Sequence, residues 1–194
     1  RLRCDWSSDV CSSDLRVPLI IFDPRHKNSG KSLRCDALTG NIDFAPTILS
    51  LAGLPTPDNV DGRNLMKLYD NPASEIHDSL TLINVWGPAA VHSLSVVTKD
   101  HKYIFWSYAE GDFTETEELY HTTGDPLELH NLTHKDGYAD EAKKMRETYD
   151  KAVAHWKAHA VAYHGYRQFG TIFDRHIPWA EKRAKYRNKK KQRN

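Results

Sequence analysis

The pattern of hydrophobic and polar positions predicts a short α/β segment at the start of the chain. Residues 16–24, RVPLIIFDP, form a nearly continuous apolar run that is typical of a buried strand in a largely parallel sheet. A helix is predicted next, with Asp43 as its N-cap and Gly53 at its end. A strand, a loop and a helix in this order are typical of the end of an α/β layer.

The following pattern predicts a small antiparallel sheet and one long helix. Strands are expected at residues 80–86 and 93–106, with a hairpin turn at Lys99-Asp100, and at the edge from Glu117 to Tyr120. From about Tyr138 to Tyr163, steps of three and four residues place an apolar stripe on one helix face. Its members are Ala142, Met145, Tyr149, Ala152, Val153, Trp156, Ala160 and Tyr163. We expect the stripe to pack on the sheet, so the predicted fold class is α/β (α+β).

These patterns divide the chain into four segments. Residues 1–15 show neither the two-residue period of a strand nor the 3.6-residue period of a helix. Residues 16–79 are predicted to be the end of an α/β domain. Residues 80–165 are predicted to form the sheet-and-helix subdomain, and residues 166–194 a basic tail. A strand that needs neighbours on both sides is unstable without them. We therefore expect residues 16–79 to fold poorly alone.

The first fifteen residues are rich in Ser, Asp and Cys, and Ser-Ser-Asp occurs twice, at residues 7–9 and 12–14. The back-translation of Asp5 to Leu15 fits a common sequencing adapter. The hypothesis is that residues 4–15, and with them 1–3, are translated adapter; the alternative is a natural loop that contains cysteines. Under the hypothesis Cys35 is the single native cysteine, and it provides neither a disulfide framework nor a cysteine metal site.

The composition is that of an ordinary soluble protein, with 39% hydrophobic and 27% charged residues. No apolar run approaches the ~20 residues that a membrane-spanning helix requires. The net charge of +1 conceals a local excess of positive charge, because Lys182 to Asn194 contain basic residues and no acidic one. Such a tail could bind nucleic acid or an anionic surface, but a solvated terminus is the favoured interpretation.

Three residue patterns suggest sites that we discount. His155 and His159 lie four residues apart on one helix face, but no acidic partner completes a metal site. Asp58, Asp61 and Asp70 lack the dense alternation of a calcium loop. Asn131-Leu-Thr133 is a glycosylation acceptor only in a secretory eukaryotic context. No metal site is therefore expected in this chain.

Several motifs occur in series along the chain. They are residues 16–24, residues 41–53 (NIDFAPTILSLAG), residues 61–65 (DGRNL), residues 102–104 (KYI), residues 118–120 (ELY) and residues 125–132 (DPLELHNL). In this order and spacing they resemble the C-terminal portion of sulfatases of the alkaline-phosphatase-like superfamily. His121 departs from the pattern, because the family usually has Asp there.

The resemblance implies a sulfuric-ester hydrolase whose chemistry is performed upstream of these residues. The family's nucleophile is a formylglycine made from the Cys or Ser of a C/S-x-P-x-R motif, and none of the nine prolines has Cys or Ser two positions before it. The family's metal ligands, for a divalent cation expected to be calcium, precede the RVPLII strand. Its last sulfate-binding lysine would fall within residues 1–15. No catalytic residue is carried over, and the chain alone should be inactive.

The resemblance also implies a periplasmic or secreted protein that acts on a sulfated small molecule or glycan, without specific nucleic-acid binding. What could remain is a substrate rim in the segment from Asn84 to His92. Trp86 could stack on a sugar or aryl ring, and His92 could hydrogen-bond a hydroxyl or a sulfate. The alternative is that Trp86 lies in the core and His92 only begins a strand.

Two other functions stay open from the sequence. Phosphodiesterases and phosphonate hydrolases of the same superfamily share the C-terminal architecture, and only the absent nucleophile motif separates them. A non-enzymatic binding module could use the sheet, the helix and the basic tail. Against it, the tail has no interleaved aromatic residue apart from Tyr186, and no RNA-binding motif is present.

Overall fold

The computed structural model describes residues 17–161 and 165–184. The chain separates into two compact units, one of which is Arg16–Leu80, while the other contains the described residues from Thr81 onward. The suspected adapter at residues 1–15 and the end of the basic tail, residues 185–194, lie outside the described residues. None of the helices within the described ranges combines the length and apolarity that a membrane span requires.

The strand predicted at residues 16–24 is wrong, because residues 17–23 form neither a strand nor a helix. Ile20 is 88% exposed, and Val17 and Phe22 are also exposed. A strand is stable where neighbouring strands exchange backbone hydrogen bonds with it. The sheet of the described chain contains only later segments, so this apolar run has no strand beside it there.

The helix predicted after Asp43 is confirmed. A 3₁₀ turn, Asn41–Asp43, leads into helix α1, Phe44–Leu51. Gly53 adopts φ +70°, and the Leu54 N–H donates to the Leu49 carbonyl oxygen at 2.9 Å. This left-handed glycine with a six-residue hydrogen-bonded loop is a Schellman ending, which stops the helix where the sequence predicts.

Asp43 stands at the N-cap of α1 as predicted, but its side chain makes no capping hydrogen bond to that helix. The carboxylate is fully buried and accepts hydrogen bonds from the Gly40 N–H at 2.8 Å and the Arg63 N–H at 2.7 Å. Nε2 of His77 lies 2.8 Å from the same group. Asp43 therefore joins the start of α1 to two segments that follow much later in the chain.

The DGRNL motif at residues 61–65 lies directly against α1. A Cβ atom on Gly62 would lie 1.9 Å from the Ile42 carbonyl oxygen, so only glycine fits there. The Leu65 N–H donates to Oγ1 of Thr47 at 2.9 Å, and helix α2, Met66–Asp70, follows. Two motifs that are about twenty residues apart in sequence therefore form one structural unit.

The antiparallel sheet has the order β1-β2-β3-β4. Its strands are β1, Leu80–Asn84, β2, Ser93–Val97, β3, His101–Trp106, and β4, Thr116–His121. In the hairpin between β2 and β3, Val96 pairs with Tyr103, and the Thr98 N–H donates to the His101 carbonyl oxygen at 2.8 Å. The predicted hairpin with its turn at Lys99-Asp100 is confirmed.

The long helix α3, Ala139–His159, packs its apolar stripe on the sheet as predicted. The core joins residues from the strands with residues from the helix: Leu94, Val96, Tyr103, Phe105, Leu119, Ala142, Met145, Tyr149 and Val153. The helix ends at His159, before the expected Tyr163, which lies outside the described residues. The periodicity thus identified the correct buried face but extended the helix too far.

The segment after α3 contributes to the same core. A 3₁₀ turn, Gly165–Gln168, leads into helix α4, Phe169–Ile172, and residues 179–184 are helical. Phe169, Ile172 and Phe173 are buried in the cluster below the sheet, and the Tyr149 hydroxyl donates to the Phe173 carbonyl oxygen at 2.7 Å. Phe169, Ile172 and Phe173 therefore belong to the core, although they lie in the segment predicted to be a basic tail.

Lys182 contradicts the prediction of a solvated terminus from Lys182 to Asn194 at its first residue. The sequence places it at the start of the basic tail, yet its side chain is fully buried. Its ammonium lies 2.6 Å from Oε1 of Glu115 and 4.8 Å from the ring centroid of Phe105. Phe105 lies in β3 and Glu115 in the connection between β3 and β4. The charge pattern around Lys182 in the sequence therefore could not predict the contact.

Candidate functional site

The loop between β1 and β2 places the two residues singled out from the sequence in opposite environments. Trp86 is 77% exposed, more than any other large aromatic side chain among the described residues. His92 is only 8% exposed, and its ring packs edge-on against Phe169 with 5.6 Å between centroids. The alternative that Trp86 lies in the core is therefore wrong, whereas His92 is part of the folded interior.

Asn84, the last residue of β1, connects the two ends of the loop. Its Oδ1 accepts a hydrogen bond from the Trp86 N–H at 3.3 Å, and its Nδ2 donates to the Val91 carbonyl oxygen at 3.1 Å. One amide side chain thus connects both ends of the loop. Asn84 is not among the residues predicted from the sequence, although Asn at a strand end before a Gly-Pro turn is a known turn signal.

His92 supplies a second connection across the same loop. Its Nε2 lies 3.3 Å from the Gly87 carbonyl oxygen. Gly87 adopts φ +81°, a left-handed conformation that glycine reaches without steric cost. A short 3₁₀ turn, Ala89–Val91, completes the loop. The loop has a defined backbone and presents an indole, but it offers no general acid, general base or nucleophile.

The described residues contain no group of three or more His, Cys, Asp or Glu side chains that could hold a metal ion. Asp70 lies 2.8 Å from Nζ of Lys27 and 3.3 Å from Nε2 of His26, so it is engaged in ion pairs. His155 and His159 stack at 4.1 Å on the exposed side of α3. The residues described here do not fit the divalent cation that the resemblance implies, and no chemical step is assigned to it.

A charged network joins β4, α3 and the segment after α4. Glu117 lies 2.7 Å from Arg146, and Asp150 lies 2.8 Å from Arg175. Burial alone would raise the pKa values of Glu117 and Asp150, but hydrogen bonds from Arg146 and Arg175 respectively hold them below their ordinary values. Carboxylates that are ionised and paired in this way stabilise the fold and are poor proton donors.

The remaining family-like motifs have structural contacts. Nζ of Lys102 lies 2.6 Å from Oε2 of Glu128, and both side chains are buried. Oδ1 of Asn131 accepts hydrogen bonds from the Leu119 and Thr133 N–H groups, while its Nδ2 donates to the Glu117 carbonyl oxygen. These motifs connect the segment after β4 back to the sheet, which explains their spacing without a catalytic role.

Comparison with known proteins gives a consistent result. A family model described as N-sulphoglucosamine sulphohydrolase, C-terminal, matches residues 10–155, which is more than half of the chain. An N-acetylglucosamine-6-O-sulfatase of Bacteroides thetaiotaomicron is 28% identical over 148 residues, covering 73% of this chain and 25% of that protein. An arylsulfatase of Clostridium perfringens is 29% identical over 133 residues, covering 68% of this chain and 26% of that protein.

A solved structure supports the fold. It is described as being in complex with its substrate D-glucosamine-2-N,6-O-disulfate, and it superimposes with a TM-score of 0.51 at 22% identity. The match covers 61% of this chain and 24% of that one. The predicted fold class is confirmed, and the chain spans about a quarter of the length of the curated relatives it matches.

Proposed function

This chain belongs to the sulfatase family defined by the C-terminal region of N-sulphoglucosamine sulphohydrolase, and on that premise we propose that it is the C-terminal part of a sulfuric-ester hydrolase. The family match over residues 10–155 carries the proposal. The fold agrees, since 61% of this chain superimposes on the related structure with a TM-score of 0.51.

In the proposed enzyme the reacting groups come from polypeptide that precedes this chain. Sulfate-ester hydrolysis requires a nucleophile and cationic groups that stabilise the charge on the transferring sulfuryl group. A formylglycine nucleophile and a divalent cation, expected to be calcium, would supply them. This chain contributes folded structure beside that centre and is inert alone.

The proposed substrate is a sulfated amino sugar or a glycan that contains one. The name of the Bacteroides relative supports this class, because that protein is described as an N-acetylglucosamine-6-O-sulfatase. The β1–β2 loop forms part of the substrate rim in this proposal, with Trp86 in contact with substrate. Since His92 is buried against Phe169, it acts by supporting the loop.

The proposal is tested with the complete protein that contains this chain. Release of inorganic sulfate from N-acetylglucosamine-6-sulfate and from 4-nitrophenyl sulfate is measured, with 4-nitrophenyl phosphate as the matched ester. We expect sulfate release to exceed phosphate release with the same leaving group. Preferential hydrolysis of the phosphate ester, or no hydrolysis of any sulfate ester, would overturn the proposed function.

A truncated protein that lacks residues 80–194 provides the second comparison. The truncation tests whether the enzyme requires residues 80–194 although its catalytic groups come from the preceding polypeptide. We expect loss of turnover of the sugar sulfate. Full retention of the rate and KM for N-acetylglucosamine-6-sulfate would contradict a role for this region at the substrate rim.

A further inference from the structure

The β1–β2 loop has no charged side chain. Residues 85–91 are Val, Trp, Gly, Pro, Ala, Ala and Val, in a chain of which 27% of the residues are charged. Trp86 is the large side chain that this neutral loop exposes, at 77%. Tryptophan is enriched at binding surfaces, because its ring offers a large apolar face together with a polar N–H.

The backbone that carries Trp86 is held on both sides. Asn84 accepts from the Trp86 N–H at 3.3 Å and donates to the Val91 carbonyl oxygen at 3.1 Å. Nε2 of His92 lies 3.3 Å from the carbonyl oxygen of Gly87, the residue that follows Trp86. A loop that is already ordered loses little conformational entropy when a ligand binds to it. These contacts therefore suit a binding residue that must be presented in one position.

We infer that Trp86 is a stacking platform for an unsulfated sugar unit next to the sulfated one, and that Asn84 and His92 are its positioning residues. This inference rests on the proposed function and adds a subsite to it. The indole face is apolar with a negative quadrupole, which suits the C–H face of a pyranose ring. A sulfate group would require cationic or hydrogen-bond donor side chains, and residues 85–91 offer only the indole N–H.

The subsite is tested in the complete enzyme with two substrates. One is N-acetylglucosamine-6-sulfate, and the other is the disaccharide in which the same sulfated unit is linked to unsulfated galactose. We expect a lower KM for the disaccharide in the wild type. In Trp86→Ala this advantage, roughly threefold to tenfold from the size of aromatic contacts, should disappear. Because Trp86 is exposed, its replacement leaves the core intact.

Phe113→Ala is the matched control, since Phe113 is also an exposed aromatic residue, at the connection between β3 and β4. It should keep the wild-type preference for the disaccharide. If Trp86→Ala raises the KM for both substrates equally, or for neither, the inference is wrong. The same holds if the wild-type enzyme does not prefer the disaccharide.

The positioning role is tested by a double-mutant cycle. Asn84→Ala should raise the KM for the disaccharide in the wild-type background and have no further effect in the Trp86→Ala background, because Asn84 acts through Trp86. Asn64→Ala is the control, since Asn64 similarly bridges a side chain and a backbone N–H elsewhere in the chain. Additive effects of Asn84→Ala and Trp86→Ala would show that Asn84 has only a general structural role.

The outcomes separate the two proposals. If the wild-type enzyme releases no sulfate from either sugar, the proposed function fails and the subsite fails with it. If it releases sulfate and Trp86→Ala leaves the difference in KM between the two substrates unchanged, only the subsite is overturned.

Discussion

The ammonium of Lys182 lies 2.6 Å from Oε1 of Glu115, although 67 residues separate the two in sequence. The lysine is fully buried, with Phe105 beneath its charge, while Glu115 remains partly exposed. Burial lowers the pKa of Lys182, and the hydrogen bond that its ammonium donates to Glu115 opposes that effect. This pair attaches the last described helical segment to the connection between β3 and β4.

Replacing Lys182 with Met should destabilise the protein, because Glu115 loses a charge-assisted hydrogen bond while the buried volume is nearly retained. We expect the free energy of unfolding to fall by about 1.5–3 kcal/mol, measured from the urea midpoint with an unchanged m-value. Lys143→Met, at an exposed position of α3, is the control. Equal midpoints for the two variants would contradict the structural importance of the Lys182 contact.

Asp43→Asn should weaken the first unit by removing the buried negative charge that the Gly40 and Arg63 N–H groups and His77 share. Hydrogen bonds to charged groups contribute about 1.5–3 kcal/mol each, so the loss should be of that order or larger. Amide hydrogen exchange should show faster exchange at Arg63. Asp58→Asn, at an exposed site, should leave the exchange rate at Arg63 unchanged; a similar increase in both variants would disprove the specific role of Asp43.

Lys102→Met should be strongly destabilising, because it leaves the buried carboxylate of Glu128 without its partner. Breaking a buried ion pair from one side costs about 3–5 kcal/mol. The double variant Lys102→Met with Glu128→Gln should recover part of that loss, since no uncompensated charge remains buried. Thermal unfolding of the single and double variants measures the difference. A double variant that is less stable than Lys102→Met would rule out this explanation.

The stability of the second unit should decrease in acid because of Glu117 and Asp150. Their folded pKa values lie below the ordinary values of 4.5 and 3.8, so the unfolded chain binds protons first as the pH falls. Their contribution is complete above about pH 4.5 and is lost as the pH falls through the lowered folded pKa values. Glu117→Gln should reduce this acid dependence in urea unfolding at pH 6, 4 and 3. Exposed Glu147→Gln should retain it; a loss of equal size there would contradict the assignment.

Local patterns were sufficient for the elements that are stabilised within the chain itself. The stripe from Ala142 to Val153 identified both α3 and its buried face, because helical spacing directly determines which side chains share a face. The turn at Lys99-Asp100 likewise placed the hairpin of β2 and β3 correctly, since the two strands follow each other directly. In both α3 and the hairpin, the residues that define the element are close in sequence.

The candidate site was predicted only in part. The loop and Trp86 were identified from the aromatic residue beside Gly and Pro, but the exposure of Trp86 and the burial of His92 depend on how the loop closes. The hydrogen bond from the Trp86 N–H to Asn84 is local, and Asn before a turn is a signal that the sequence carries. The hydrogen bond from Asn84 to the Val91 carbonyl oxygen depends on how the loop closes, which no local pattern specifies.

The sequence by itself determined the family resemblance, the helix periodicity and the order of strands, because each depends on neighbouring residues or on motifs in series. Only the tertiary structure decided three other features: the unpaired state of residues 17–23, the buried contacts of Asp43, and the buried position of Lys182 in what looked like a solvated tail. The physical reason is the same in each case. The pairing of residues 17–23 and the burial of these charged side chains depend on partners distant in sequence, which no local pattern can specify.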